Sequence, residues 1–340
     1  MSIKKWMELD VDQLELEEVT NLEKARVKQH VLKKRKKTPP WRKLSVAAIL
    51  FISATAATSF AFPSIASQLP FMDNVIRYFD DEYKQYTNFE TFSSSIGLAQ
   101  TSNGMTVMID NAVYDGTNIT VSFAIETEHN FGDSMHVRAP HWFDVVGASG
   151  SGGSDRITKI SDSRYVGLAS FTPRFKNDAY PETVEVTWQP EAFYNTGTNM
   201  EVEGDWSFAF SLDRLAGNVQ LVNETVANSE VSFTLQSIEY TDVSTILSYN
   251  QEAQESLLKK WKEVTPVFNI SDNLGNQYME GTGGGGKTSD GYRTFEGTTA
   301  FGAVHEDATE LFIQPVAIAS LMYGKGHIEI ELEPIVIDLK

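Results

Sequence analysis

The hydrophobic pattern of this chain changes character twice. Up to residue 43 the apolar positions are sparse and helically spaced; from Leu44 to Phe62 there is no charge at all; beyond Met105 apolar and polar residues alternate. Each regime predicts a different element. The uncharged stretch, LSVAAILFISATAATSFAF, is nineteen residues long. At about 1.5 Å per residue it spans roughly 29 Å as a helix, close to the thickness of a bilayer's hydrocarbon core. Its Ser and Thr hydroxyls can bond back to carbonyls of the preceding turn, so it predicts one membrane-spanning helix over 44–62.

Past the span, residues 63–96 predict a linker and a helix from Phe71 to about Phe92. Phe71, Val75, Ile76, Phe79 and Tyr83 recur on one side of it and face the first domain. The period then falls to two. Residues 105–114 and 118–126 predict strands joined by a tight Asp115-Gly116 turn. In the second strand Ile119, Val121, Phe123 and Ile125 share one face and Thr120, Ser122 and Glu126 the other, the mark of a half-buried antiparallel strand. Further strands fall near 141–146, 165–172, 183–189 and 205–212. A second set covers 219–226, 230–240, 266–270, 292–304, 311–319 and 327–339, with a short crossover helix within 250–262. Short strands between turn signals predict two antiparallel β-sandwiches, 97–215 and 216–340. No short-period repeat is present; the two β domains are candidates for a shared architecture.

The first 43 residues predict a helical tail. Asp12 with Glu15, and Thr20 with Glu23, have capping-box spacing, and Pro39-Pro40 stops the second helix before the span. The apolar side chains there are too few to close a core. Leu14, Leu16, Val19 and Leu22 are the candidate contacts for a partner that buries them, while the basic end fits anionic lipid; both readings stay open. The fold class is therefore mainly β, with a helical tail and one transmembrane helix ahead of two sandwiches.

Charge fixes the orientation. Seven basic residues lie between Lys33 and Lys43, and Lys and Arg beside a span stay on the cytoplasmic side. The N-terminus is thus expected inside and everything from Pro63 outside. Residues 1–43 carry a net +5, so the formal −18 of the whole chain belongs to the exported part. An acidic head argues against nucleic acid as a partner. A cleaved signal peptide is the rival reading, since Ser59-Phe60-Ala61 and Ser64-Ile65-Ala66 resemble cleavage sites, but signal peptides have short leading regions. There is no cysteine, which leaves an exported head without disulfides to rely on its hydrophobic core.

Candidate chemistry is thin. Gly281-Thr-Gly-Gly-Gly-Gly-Lys287-Thr288 matches the phosphate-loop pattern, but that chemistry needs a helix starting at the Lys, and Thr288-Ser-Asp-Gly-Tyr-Arg leads into a strand; a hairpin tip is expected. His129, His136 and His141 lie near Asp133 and Asp144 without a spacing that puts them on one face, so a surface loop is expected rather than a metal site. The Asp115–Asn118 and Asp272–Asn276 stretches lack the full calcium-loop order and read as turns. Asn118, Asn223 and Asn269 head glycosylation sequons. No nucleophile elbow, zinc-protease helix or Cys/His pair is present. No catalytic residue, metal ligand or cofactor is expected.

The basic tail Val27-Lys-Gln-His-Val-Leu-Lys-Lys-Arg-Lys-Lys, the span with Ala-Phe-Pro-Ser-Ile-Ala, Leu69-Pro-Phe-Met-Asp-Asn-Val-Ile-Arg-Tyr-Phe and Asn111-Ala-Val-Tyr-Asp-Gly-Thr-Asn-Ile-Thr-Val-Ser-Phe together resemble domain-of-unknown-function family 4179. Its members are single-pass membrane proteins of Gram-positive bacteria. The likeness covers roughly 25–215, and the C-terminal β domain is similar to one that often follows. The resemblance implies an Ig-like exported region and an anti-sigma-factor-like role, with a cytoplasmic sigma factor as the partner of the tail. The His/Cys zinc motif of one large anti-sigma class is missing. The expectation is a membrane-anchored regulator whose outer domains sense an unknown envelope ligand. The alternative is a non-catalytic adhesion or envelope-structural module with the tail as anchor only; an exported enzyme is a third.

Overall fold

The computed structural model describes residues 75–79, 86, 88–140, 142–176, 180–278, 284–289, 291, 293–321 and 326–339. The expected tail, the expected span and the tail contacts Leu14, Leu16, Val19 and Leu22 lie outside them. Among the described residues no helix is long and apolar enough to cross a membrane. They are mainly β, and the sheets are antiparallel, as the alternating pattern predicts.

The first domain sets a five-stranded sheet against two three-stranded ribbons. The sheet has the order β1-β2-β3-β7-β6: β1 (Ser94–Ser102), β2 (Met105–Tyr114), β3 (Ile119–Thr127), β6 (Ala148–Ser161) and β7 (Arg164–Phe175). The ribbons are β10-β9-β4 and β11-β8-β5, from β4 (His136–Arg138), β5 (Asp144–Val145), β8 (Thr183–Trp188), β9 (Ala192–Asn195), β10 (Met200–Glu203) and β11 (Phe208–Asp213). Ile119, Val121, Phe123 and Ile125 do point into the core. There they meet a stack in which Phe143 lies between Phe171 (4.9 Å) and Trp188 (5.0 Å). Burying several large rings in one column gives this core its stability without disulfides. Pro190 separates β8 from β9, because a proline has no N–H for the ladder.

The opposite face of β3 is not solvated as its Thr/Ser pattern predicts: Ser122 and Ala124 are buried too. The cover comes from the residues just ahead of the sheet. A 3-10 turn (Val75–Tyr78) and a one-turn helix α1 (Phe89–Phe92) lay Val75, Ile76, Phe79 and Phe89 on Met108, Val113, Ala124, Val166 and Leu168. The expected contact of Val75, Ile76 and Phe79 with the first domain is present, made by a 3-10 turn where one long helix was expected.

The second domain opposes the sheet β12-β13-β14-β18-β17 to a sheet in which β19 pairs β15, β20 and β21. Its strands are β12 (Asn218–Ala227), β13 (Val231–Tyr240), β14 (Ser244–Ala253), β15 (Glu263–Asp272), β16 (Gln277–Tyr278), β17 (Gly284–Ser289), β18 (Thr294–Gly302), β19 (Glu310–Ser320), β20 (His327–Glu331) and β21 (Ile335–Asp338). The crossover helix α2 is shorter than expected, Glu255–Lys260, because residues 250–253 complete β14. The single strand expected over 327–339 is two, β20 and β21, which pair with opposite halves of β19 on either side of Pro315.

Both sandwiches follow one plan. The sheets β1-β2-β3-β7-β6 and β12-β13-β14-β18-β17 have the same order, with the last two strands returning beside the third. β13 starts and ends 126 residues after β2, and its inward residues Val231, Phe233, Leu235, Ile238 and Tyr240 stand where Met105, Val107, Ile109, Ala112 and Tyr114 stand. The bulge between Ser95 and Leu98 in β1 recurs at the same spacing between Leu221 and Glu224 in β12.

Candidate functional site at the junction of the domains

The two domains meet through the same turn of each repeat. In the first, Asp115 Oδ1 accepts the N–H groups of Thr117 (2.9 Å) and Asn118 (2.6 Å), and the N–H of Asp115 reaches Asn118 O at 3.1 Å. Such a turn holds β2 against β3, with Gly116 at φ +103°, where a Cβ would also strike the Arg214 guanidinium. In the second, Thr241 takes the place of the aspartate: its Oγ1 accepts the N–H groups of Val243 (3.3 Å) and Ser244 (2.9 Å), and its own N–H reaches Ser244 O at 2.9 Å.

Three contacts bind these turns together. Ser244 Oγ donates to Asp115 Oδ2 at 2.6 Å. Arg214, at the end of β11, pairs with Glu239 of β13 at 2.6 Å, and both are largely shielded from solvent. Asn88, at the foot of α1, donates to Asp242 O at 2.8 Å. Around them Val243 and Leu215 pack onto the cluster that holds Val75, Ile76, Phe79 and Phe89 on the first sheet. The residues ahead of the sheet, the first sheet and the second domain thus share one apolar cluster.

The electrostatics follow from burial. Burial pushes the Asp115 carboxyl above its ordinary range, although Ser244, Thr117 and Asn118 all bond to it. Tyr114, whose hydroxyl donates to Gly116 O, is raised by the same cause. For Arg214, burial opposes the charge, but the bond to Glu239 and the attraction of Glu239, Tyr114 and Glu182 together outweigh it and the net shift is upward. Both Asp115 oxygens are engaged by groups of their own or the facing turn. The arrangement offers no paired acid and base and no activated nucleophile; what it can do is hold two bodies in one orientation.

The residues singled out by sequence lie elsewhere. The tail contacts and His141 are outside the described residues. His129 Nε2 is 3.2 Å from Asn103 O, whereas His136 lies against Tyr194, so the two are held by different neighbours. Among the described residues no three His, Cys, Asp or Glu side chains gather as a metal site would need. Gly284–Ser289 is the edge strand β17, paired with β18, so no helix begins at Lys287; residues 281–283 are outside the described set. Asp272 spends its oxygens on Leu274 N, Asn276 N, Asn276 Nδ2 and the Tyr278 hydroxyl, which makes the Asp272–Asn276 stretch a self-satisfied turn. Asn118 is 5% exposed and bonded to Thr172, leaving no room for a glycan on the folded protein. The junction itself was missed, although Tyr114-Asp-Gly-Thr-Asn118 and Tyr240-Thr-Asp-Val-Ser244, the same turn 126 residues apart, carried the signal.

Comparison with known proteins agrees with the resemblance. Residues 34–127 match the domain of unknown function DUF4179, and residues 217–339 match a family of unknown function, DUF5643. No curated protein matches the chain. Among solved structures, a conserved domain protein from Bacillus anthracis is similar at TM-score 0.68 and 25% identity, over 78% of this chain and 98% of that one. The N-terminal periplasmic domain of ScsB from Proteus mirabilis (TM-score 0.17, 7% identity, 69% of this chain and 96% of that) superposes too poorly to inform the fold. So does the collagen adhesin CNA from S. aureus (TM-score 0.12, 10% identity, 69% and 94%).

Proposed function

For a chain that carries a DUF4179 segment and a DUF5643 segment, we propose the role of a membrane-anchored, non-catalytic signalling regulator. The uncharged stretch 44–62 is the span and the basic run 33–43 holds the N-terminus inside, against anionic lipid. Outside, two Ig-like sandwiches bind or sense an envelope ligand. Inside, Leu14, Leu16, Val19 and Leu22 hold a soluble partner, for which the family resemblance favours a sigma factor. Neither nucleic acid nor a cofactor has a part in this scheme.

One observation supports it above the others. Val75, Ile76 and Phe79, ahead of the first sheet, are seated on the first domain, 1%, 8% and 1% exposed. A span joined to a head by a loose tether could report nothing of the head's state, whereas a seated segment moves with the sheet beneath it. The DUF4179 match, residues 34–127, runs over the uncharged stretch 44–62, this segment and β1 to β3.

Two measurements test the scheme. Protease shaving of intact cells should remove both sandwiches, and a peptide of residues 1–43 should capture a sigma factor or another soluble protein. A shaved cell that keeps its C-terminal half, or a peptide that captures nothing above background, would falsify it. The second reading, an envelope-structural or adhesive module, is favoured by Val219 and Leu221, 60% and 77% exposed on the edge strand β12. Deleting residues 1–30 separates the two: the module reading requires unchanged transcription with surface binding still dependent on the head.

A further inference from the structure

We propose that residues 75–79 and 88–92 act as a strap whose seat on the first sheet is thermodynamically coupled to closure of the two domains, so that loosening either loosens the other. The proposal stands on the junction alone; where the signalling role holds, it supplies the means by which the second domain reaches the membrane side.

The coupling follows from who shares the cluster. Phe79 and Phe89 of the strap, Val113 and Leu168 of the sheet with Leu215 at the end of the first domain, and Val243 of the second domain pack together. Removing any one party returns apolar surface of the other two to water. The strap also bonds to the second domain directly, Asn88 Nδ2 to Asp242 O. On its far side Arg156 sits over the Phe79 ring at 5.0 Å, with its guanidinium 3.4 Å from Phe79 O. The seat is therefore specific at both ends and not merely greasy.

The second repeat shows what this sheet face looks like when built for another purpose. Where the first domain has Met108, Val113, Ala124, Val166 and Leu168 facing outward, the matching positions of the second hold Thr234, Glu239, Asn250, Glu296 and Thr298. One plan thus carries an apolar outer face under the strap and a polar one elsewhere. A ligand-binding cleft is the rival use of the junction, but the free space between Tyr86, Phe89, Val113, Ser170, Val243 and Ala300 is about 40 Å³. That holds a few waters, far below what even a small ligand needs.

Linkage makes the proposal quantitative, because coupling must be equal in both directions. The test uses the full chain in lipid nanodiscs, read by hydrogen exchange. Ser244→Ala with Glu239→Ala removes two cross-domain contacts and leaves the strap untouched. The amides of Phe79, Phe92 and Ser93, bonded to Ile76 O, Asn88 O and Phe89 O, should then exchange about tenfold faster, with β2 and β3 unchanged. In reverse, Phe79→Ala should accelerate the amides of Thr241 and Ser244 by a similar factor. Should the double variant unfold, Ser244→Ala alone carries the same measurement. Strap amides that do not respond, or that open only together with β2 and β3, overturn the coupling. Because the readout is exchange, a failure here is distinct from a tail peptide that captures no partner.

Discussion

Gly97 and Asn223 hold the same left-handed backbone, φ +61° and +54°, at matching bulges of the two edge strands β1 and β12. The bulge demands that conformation in both repeats, and only the first supplies the residue that adopts it freely. Open space surrounds the Gly97 Cβ position, so Gly97→Ala should cost about 1–2 kcal/mol through the backbone alone. Asn223→Gly should be neutral or stabilise by up to about 1 kcal/mol. Denaturant titration followed by tryptophan fluorescence checks both. A Gly97→Ala protein as stable as the parent would mean that the strand escapes the bulge.

Asp115 and Asp272 both sit in turns that feed N–H groups to a carboxylate, yet they should respond to pH with opposite sign. Burial holds Asp115 above the ordinary carboxylate range, so folding favours its protonated form. Its contribution is fully present below pH 3.8, the unfolded value, and is lost as pH rises through the folded one. Burial pushes Asp272 the same way, but the bonds from Asn276, Tyr278 and Leu274 together outweigh it and hold its carboxyl below the ordinary range. Its contribution is present above pH 3.8 and is lost as pH falls through the folded value. Asp115→Asn should flatten the loss of stability on the alkaline side of the carboxylate range. Asp272→Asn should flatten the acid limb instead, and identical pH profiles for the two variants would refute the assignment.

Asp272→Ala should be the more damaging truncation of the two turns. It strands four donors, among them the Tyr278 hydroxyl and the side-chain amide of Asn276, and the loss of that set should cost about 3–5 kcal/mol. Asp115→Ala strands three, one of them the Ser244 hydroxyl, which can turn toward Thr241 Oγ1 at 3.1 Å, and it removes an unfavourably buried charge. About 1–3 kcal/mol is expected there. Thermal unfolding of the two variants gives the order.

How much of this was legible in the sequence depends on where the information lay. β2 was readable to its last residue because Met105–Tyr114 alternates between two turn signals, Asn103-Gly104 and Asp115-Gly116. β6 was not, since Ala148-Ser-Gly-Ser-Gly-Gly-Ser154 reads as a loop; it is a strand because β7 offers it a ladder along an exposed edge. Residues 250–253 read as helix for the opposite reason: Asn-Gln-Glu-Ala has helical propensity, and pairing with β18 overrides it. Val75, Ile76 and Phe79 were legible as a docking set from their spacing alone. That the same cluster would receive Val243 was not, because contact across 160 residues leaves no local pattern.

Two tyrosines should report the second domain's integrity in alkali. Burial pushes both Tyr240 and Tyr278 from the ordinary 10.0 up to about 12. Tyr240 donates to Gln220 Oε1 at 3.1 Å beside β12. Tyr278 donates to Asp272 Oδ2 at 2.7 Å and accepts the N–H of His305 at 3.0 Å. The negative Asp272 adds to the cost of ionising its partner, on top of the burial. A raised phenol favours the folded state while it keeps its proton, so this contribution is whole below pH 10 and is lost as pH rises through about 12. An ultraviolet phenolate titration should therefore show Tyr240 and Tyr278, together with the buried Tyr114 and Tyr165 of the first domain, delayed beyond the exposed tyrosines. Tyr240→Phe should remove one delayed group and leave the others. Asp272→Asn should bring Tyr278 back toward 10, because the carboxylate that resisted its ionisation is gone while the amide oxygen still accepts its hydrogen bond. Were Tyr278 to titrate in that variant where it does in the parent, burial alone would account for its shift and the Asp272 pairing would have no electrostatic part in it.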